Sequence, residues 1–414
     1  MSKIRIKNFG PIKEGYLEND GWLEVKKVTV FIGNQGSGKS TVAKVISTLM
    51  WMEKALNRGD IIEPASLWDF QTYFEYQNLK EYFKDNTLID YQGDSYNISY
   101  NIENRPYTVT RKRNSDNYTV PKIMYIPAER NFLSVIKNAT GVKGLPEPLF
   151  EFAEELKRGQ REFTGFEFPL PINGVNYRYD IMSDSSFISG KDFNINLLVA
   201  SSGFQSLVPL YIVSLSLARM IKKGAELSPE NISVDQNIRM SKEIATIMLD
   251  HKLSNEQKIN IVNDIKAKFQ NKKFVNIVEE PEQNLFPSSQ RHMLNSLLEC
   301  NNMTQENELI ITTHSPYIIN YLTLCVKAES VYKILVEKKY RLSDSEFTHI
   351  NEIVPMSSTI HRYDLVIYEL NENTGTIKTL ETYNGLPSDE NYLNEMLGES
   401  NELFAQLLEI QQHL

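Results

Sequence analysis

Several features that define common protein classes are scarce or missing in this 414-residue sequence. It has only two cysteines, Cys300 and Cys325, and neither has CxxC or histidine spacing. We therefore expect no disulfide framework and no zinc site, but two buried thiols in a reducing cytoplasm. No apolar run reaches the roughly 18 residues needed to span a bilayer, and the amino terminus resembles a strand more than a signal peptide. These absences predict a cytoplasmic protein without a membrane-inserted segment.

Long heptad repeats, low-complexity tracts and internal repeats are also missing, so a coiled coil or a solenoid is not expected. The net charge of −9 argues against a generally basic surface that coats nucleic acid, although a local basic patch remains compatible with it. The run Arg111-Lys112-Arg113 is such a candidate, but short charge runs more often mark a solvated strand end. The length and a hydrophobic content of 41% allow two or three domains, or one elaborated fold.

What the sequence does contain is a complete phosphate-binding loop. The apolar segment 28–32 leads into it, and a helical pattern over residues 42–52 follows it. In this strand, loop and helix context, glycines let backbone N–H groups converge on phosphates, and the helix start adds its positive dipole. Lys39 should reach the β- and γ-phosphates of ATP, and Ser40 should hold Mg²⁺. The predicted nucleotide-binding residues of the loop are Gly33, Asn34, Gln35, Gly36, Ser37, Gly38, Lys39, Ser40 and Thr41.

A second motif ends an apolar strand in two adjacent carboxylates, Glu279 and Glu280, within residues 274–282. This is the pattern of a Walker B strand. Glu279 would hold the Mg²⁺ shell through water, and Glu280 would polarise the attacking water as the general base. The alternative is an acidic strand end that faces solvent, but carboxylates beside so apolar a strand need a cation or water to face.

Two further segments fit the same chemistry. Residues 309–316 form an apolar strand pattern that delivers His314 at its carboxyl end, where parallel sheets bind ligands and where an imidazole could sense the γ-phosphate. A satisfied core histidine is the alternative. Residues 200–206 place a Ser-Gly turn before a helix expected over 207–223, with Pro209 in its first turn. An ordinary N-cap has the same appearance. From this turn we take Ser202, Gly203 and Gln205 as nucleotide-binding candidates.

The order of these motifs, namely P-loop, Ser-Gly turn, Walker B and histidine, resembles the ABC-type ATPase superfamily. The resemblance implies that the Ser-Gly signature of one subunit closes over ATP bound to another, so that ATP joins two heads. Residues 279–287, 312–316 and the opening strand 4–12 look like the SMC/Rad50-related branch that includes the overcoming-lysogenisation-defect ATPases. These motifs cover about three quarters of the chain.

Four departures from the family pattern point to slow hydrolysis. Glu279 stands where the family usually has Asp, Phe204 replaces the second signature glycine, and Phe286 stands where relatives often have His. The family's Gln loop is not obvious, because Glu129 or Arg130 lies near that position. ATP binding is expected to survive these changes.

The expected fold is α/β, an ABC-type P-loop ATPase head with a mixed central sheet, an antiparallel β subdomain and a helical insertion. We place the P-loop half at 1–130, with a β-hairpin subdomain near 60–125. The signature region lies at 131–272, with helical insertions near 131–199 and 224–272. The Walker B and histidine half lies at 273–325. Residues 326–414 form a strand pair and a helix, and without clustered carboxylates they offer no TOPRIM nuclease site.

A full ATPase motif set without a nuclease, a membrane segment or a coiled coil favours an ATP-dependent switch. The chain looks most like the ATPase component of two-gene anti-phage systems such as PARIS or Septu. That resemblance implies head-to-head dimers in a homo-oligomer, a separately encoded effector of TOPRIM or HNH nuclease type, and a phage-derived trigger. Direct nucleic-acid binding stays open, since a DNA-repair ATPase that clamps duplex is the main alternative. A transporter subunit or an autonomous nuclease fits less well.

Overall fold

A computed structural model describes residues 2–61, 67–101, 105–113, 118–137, 139–224, 234–337 and 344–412. A seven-stranded mixed sheet lies at its centre. Five neighbouring strands run parallel, and the short strands at one edge complete the sheet. With strands numbered along the chain, the spatial order is β2 (Gly15–Tyr16), β16 (Thr376–Thr379), β15 (Leu365–Asn371), β4 (Val28–Gly33), β14 (Glu308–Thr313), β13 (Lys273–Glu279) and β8 (Pro121–Ile126). The predicted mixed α/β sheet is thus confirmed.

The inner strands are apolar because the sheet is covered on both faces. Every residue of β4 and β13 is buried, as is typical of parallel strands between two helical layers. Alternate residues of β4 enter two different hydrophobic cores: Val30 and Ile32 join one, and Phe31 joins the other. Since β4, β13 and β14 are parallel neighbours, their carboxyl ends meet at one edge of the sheet.

An antiparallel five-stranded sheet packs beside the first and supplies the β subdomain. It contains the predicted hairpin, but the amino-terminal strand also joins it, where Arg5 pairs with Asp90 at 2.5 Å. Its order is β3 (Leu23–Glu24), β1 (Lys3–Lys7), β5 (Leu88–Gln92), β6 (Tyr96–Asn101) and β7 (Arg105–Arg111).

Helices cover both faces of the central sheet. The helices of the described ranges are α1 (Lys39–Arg58), α2 (Leu67–Thr72), α3 (Phe132–Val135), α4 (Glu147–Glu162), α5 (Ser202–Lys222), α6 (Val234–Leu249), α7 (Asn255–Phe269), α8 (Pro287–Asn302), α9 (Pro316–Glu337), α10 (Asp344–Ile353) and α11 (Tyr392–Gln412). The helices α6 and α7 form the pair expected after the signature. A capping box between Ser254 and Gln257 fixes the start of α7.

The signature helix α5 begins five residues earlier than expected, at Ser202. Pro209 therefore lies inside the helix and not in its first turn. Within the described ranges, α5 is the one helix long and apolar enough to cross a membrane, yet 78% of its apolar window is buried inside the protein. The thiols of Cys300 and Cys325 are free and buried, as predicted.

The insertion at 131–199, expected to be helical, is helical only in part. Besides α3 and α4 it contains an antiparallel sheet of β9 (Phe168–Pro169), β10 (Asn176–Asp180), β11 (Ser185–Gly190) and β12 (Phe193–Asn196). Tyr177 and Tyr179 alternate with less buried residues, which is the strand period. The turn before β10 uses positive φ at Asn173 and Gly174, which breaks any helical run.

The carboxy-terminal strands form the predicted hairpin, since β15 and β16 pair antiparallel. β15 also pairs parallel with β4, so Leu370 lies opposite Gly33 at the start of the phosphate loop. The strands β15 and β16 thus belong to the central sheet and do not form a separate unit. Two short strands, β17 (Thr382–Tyr383) and β18 (Leu386–Pro387), follow.

Candidate nucleotide-binding site

The phosphate loop between β4 and α1 has a backbone that glycine makes accessible. Gly33, Gly36 and Gly38 have φ values of 142°, 76° and 101°. A Cβ on Gly33 would come within 2.3 Å of the Leu370 carbonyl oxygen, and one on Gly38 within 2.6 Å of the Ile12 side chain. Only glycine fits both the backbone angles and the space at these two positions.

Lys39 begins α1 and bends back across this loop. Its Nζ donates to the carbonyl oxygens of Gly33 at 3.0 Å and Asn34 at 2.8 Å. Burial lowers the pKa of Lys39 to about 8, because desolvation disfavours the ammonium form. The start of α1 has no side-chain cap, and Ser40 is exposed there. An anionic phosphate fits this site, since it would supply both the missing acceptors for the helix N–H groups and a counter-charge for Lys39.

Glu280 leaves β13 in a left-handed conformation, with φ of 44°. Its backbone N–H donates to the Thr312 carbonyl at 2.9 Å, which ties the end of β13 to the end of β14. Its Oε1 lies 3.3 Å from Nε2 of His314. The hydrogen bond from His314 holds the pKa of Glu280 below its ordinary value, so the carboxylate is ionised at neutral pH.

His314 lies between the predicted nucleotide-binding residue Lys39 and the predicted general base Glu280. Its Nδ1 lies 3.4 Å from Nζ of Lys39, while its Nε2 faces Glu280. A neutral imidazole protonated at Nε2 satisfies both contacts, since Nε2 then donates to the carboxylate and Nδ1 accepts from the ammonium. The structure thus brings Lys39, Glu280 and His314 together, although they come from three separate segments of the chain.

Glu279, the residue before Glu280, is buried and faces β8, which is the other neighbour of β13 in the sheet. Its Oε1 accepts from the Tyr125 hydroxyl, and its Oε2 accepts from the Ala128 N–H at 3.2 Å. Each carboxylate oxygen keeps a second lone pair, so Glu279 can bind a hydrated Mg²⁺ through water. With the exposed Ser40 hydroxyl, it provides the oxygen ligands that Mg²⁺ prefers, and such an ion would neutralise phosphate charge.

Glu282 is a site residue that the sequence analysis did not single out. Its Oε1 accepts from the His314 backbone N–H at 2.8 Å, and its Oε2 is buried, although the residue as a whole is only half-buried. Burial raises the pKa of this carboxyl. Glu282 therefore fixes the position of the histidine from behind, and its place two residues after Glu280 was the available signal.

Arg130, which lies near the expected position of the Gln loop, is completely buried. Its guanidinium donates to the carbonyls of Glu279 at 2.7 Å, Glu280 at 2.6 Å and Ser206 at 3.2 Å. Burial lowers its pKa to about 10, so it remains charged at neutral pH. Arg130 thus joins the Walker B turn to the signature helix, whereas its neighbour Glu129 is exposed.

The signature turn packs against the residues that follow the Walker B strand. Ser202 is exposed, and a Cβ on Gly203 would come within 2.9 Å of the Asn284 carbonyl oxygen. The Gln205 amide donates to the carbonyls of Leu197 at 3.3 Å and Leu198 at 2.9 Å, so it is occupied within its own subunit. Within the residue ranges given above for the structure, no hydrogen bond joins this turn to the phosphate loop.

Residues 127–319 match the family described as AAA ATPase domain. The matched range includes the signature turn, the Walker B strand and His314, while the phosphate loop precedes it. No curated protein matches the sequence. Among solved structures, the chain is similar to an SMC head bound to the C-winged helix domain of ScpA, with a TM-score of 0.35 and 11% identity over 91% of this chain and 95% of that one. The loop geometry and the matched ATPase domain together support ATP binding and hydrolysis in a P-loop ATPase head.

Proposed function

We propose that the chain is an ATP-dependent switch, in which two heads pair around ATP and thereby control a separately encoded effector. The effector that we propose is a TOPRIM or HNH-type nuclease, and the setting is cytoplasmic anti-phage defence as in two-gene systems such as PARIS or Septu. A phage-derived component would act as the trigger. Hydrolysis would return the paired heads to the separate state.

One observation carries the pairing proposal, namely that within the described residues the signature turn makes no hydrogen bond to the phosphate loop of its own chain. Lys39, Glu280 and His314 converge on the phosphate loop, while the exposed signature turn of the same chain starts beside Asn284. A second head could offer its signature turn to the open side of this loop.

The surface around the signature turn has the character of an interface. Phe286 and Val199, which flank the turn in the structure, are 75% and 76% exposed. Large apolar side chains this exposed favour burial against a partner. Covering them on pairing would release water and stabilise the ATP-bound dimer.

The site residues suit hydrolysis of the terminal phosphate. Glu280 would take a proton from the attacking water as its oxygen bonds to the γ-phosphorus. The bond between that phosphorus and the β–γ bridging oxygen breaks, and ADP carries the electron pair away. Lys39 would stabilise charge on the phosphate oxygens, and His314 would hold Glu280 in place. The left-handed backbone conformation of Glu280 depends on tertiary contacts. We therefore expect slow ATP turnover until a second head completes the site.

The test is the mass of the native protein in ATP with Glu280→Gln. This variant keeps the shape of the side chain but lacks the base, so it should bind ATP, hydrolyse it at least about 100-fold more slowly and accumulate as a paired species. Lys39→Ala is the matched control and should remain unpaired. A mass for Glu280→Gln that ATP leaves at the monomer value would contradict the shared site. ATP-stimulated, salt-dependent DNA binding without any effector would instead favour the DNA-clamp alternative.

A further inference from the structure

The carboxy-terminal helix α11 exposes an apolar face to solvent. The residues of this face are between 41% and 63% exposed, and they are Met396, Leu403, Phe404, Leu407, Leu408 and Ile410. At 3.6 residues per turn they occupy an arc of about 160° along a helix of roughly 31 Å. An apolar stripe this wide usually faces a core, so its exposure marks an interaction surface.

The charges on α11 are all of one sign and lie on one side. The helix contains Glu395, Glu399, Glu402 and Glu409, all exposed, and its sequence has no Lys or Arg. On a helical projection these carboxylates form a flank next to Leu403 and Ile410. The other flank, next to Leu408, carries the uncharged and exposed residues Asn401 and Ala405. The surface is thus an apolar stripe with one acidic border.

This charge pattern favours another protein over a second copy that pairs antiparallel. A twofold antiparallel pair of α11 helices would place the acidic flank of each against its own copy, and such like-charge contact is unfavourable. A different polypeptide with basic residues along one rim of an apolar groove would complement both the stripe and its border.

The first residue of α11 lies next to the phosphate loop. The Tyr392 N–H donates to Oε1 of Glu369 at 2.8 Å, and Lys378 pairs with Oε2 of the same carboxylate at 3.0 Å. Glu369 lies in β15 opposite Ile32, the residue before Gly33. A partner held by α11 would therefore be attached to β15, the neighbour of the strand β4 that carries the nucleotide loop.

We propose that the α11 face is the docking surface for the separately encoded effector, which binds it through an apolar groove with a basic rim. This deepens the proposed function and rests on it. The partner would sit on an element rooted beside the nucleotide site, so that the state of the loop reaches it through β15.

The test uses the full chain co-expressed with the product of the adjacent gene, and it measures the mass and dissociation constant of the complex. Leu403→Glu with Leu407→Glu places two charges on the apolar face and should weaken binding at least about tenfold. Asn401→Glu with Ala405→Glu adds the same charge at the same spacing on the uncharged flank and should bind nearly as the wild type does. Glu399→Lys with Glu402→Lys should also weaken binding, because it reverses the acidic border. All three pairs lie away from the nucleotide site, so an unchanged ATPase rate shows that each variant is folded.

Three results would overturn the assignment. The first is a complex that tolerates Leu403→Glu with Leu407→Glu as well as it tolerates the control pair. The second is self-association of the wild-type chain that the apolar-face variant abolishes, which would make a second copy the occupant. The third is the absence of any complex with the adjacent gene product in every nucleotide state. A complex that requires α11 but is indifferent to ATP and to Glu280→Gln would instead uphold the surface and refute the switch.

Discussion

The buried guanidinium of Arg130 offers the sharpest test of how the site is held. In Arg130→Met, a side chain of similar length would lack every donor, so the carbonyls of Glu279, Glu280 and Ser206 would lose their partner. Each such loss typically costs about 1–3 kcal/mol, and removing one partner of a buried charged cluster costs about 3–5 kcal/mol. We expect a loss of about 3–5 kcal/mol in the free energy of unfolding, since the three terms are not independent.

The substitution Arg130→Lys tests how the general base Glu280 is positioned, separately from the stability of the fold. An ammonium keeps the charge but cannot span three carbonyls in one plane, so the protein should fold while Glu280 loses a restraint. Glu280 has a positive φ, a conformation that costs about 1–3 kcal/mol and persists only where surroundings enforce it. We therefore expect kcat to fall by at least about tenfold with little change in KM, because the γ-phosphate still meets an intact loop.

Urea unfolding and steady-state ATPase kinetics together provide the assay. Ser134→Ala is the matched control, because the Ser134 hydroxyl donates to the Gln205 carbonyl at 2.7 Å in the same signature helix without contacting the Walker B turn. It should cost about 1 kcal/mol and leave kcat unchanged. Wild-type kcat in Arg130→Lys, or an equal loss of kcat in Ser134→Ala, would refute the role assigned to Arg130.

Three further predictions concern the site itself. Since the pKa of Lys39 is about 8, ATP binding at pH 8.5 should take up more than about half a proton, because the phosphates restore the ammonium form, and the affinity for ATP should fall above that pH. Calorimetry in buffers of different ionisation enthalpy measures this proton uptake, and equal binding heats in all buffers would contradict it. His314→Ala removes the donor that lowers the pKa of Glu280, so the acidic limb of the kcat profile should move to higher pH, whereas a fixed limb would argue against this contact. Phe286→Ser should weaken ATP-dependent pairing of Glu280→Gln in sedimentation while ATP affinity stays the same, and unchanged pairing would place the interface elsewhere.

The sequence predicted the parts of the site that local patterns determine. The apolar strands before Gly33 and Glu280 could be recognised because both faces of the sheet are covered, and the motifs after them require the carboxyl edge of a parallel sheet. The helices α6 and α7 carried their own periodicity, and α7 also carried its capping box. These features depend on residues close together in the chain, which is why they were predictable.

Features that depend on distant segments were missed. The pairing of β15 with β4 joins residues more than 300 positions apart, and nothing within the hairpin sequence specifies that neighbour. The sheet at β9–β12 lies in a region that was predicted to be a helical insertion, although the alternate burial in β10 follows the strand period. Arg130 was placed near the Gln loop, but an arginine in a loop normally faces water, and its burial depends on carbonyls from two remote segments.

Contacts between distant segments also explain how the signature helix α5 can respond to the turn that carries Glu280. Pro209 has no N–H, so the Gln205 carbonyl loses its usual partner four residues on, and Ser134 supplies the replacement donor. The next carbonyl, that of Ser206, accepts from Arg130. The first turns of α5 are thus bonded to the segment that follows β8 as well as to their own helix. A displacement of the signature turn must strain the hydrogen bonds of Arg130, and these same bonds hold Glu280. In the pairing that we propose, contact with a second head can therefore change the position of Glu280 without a change in the phosphate loop.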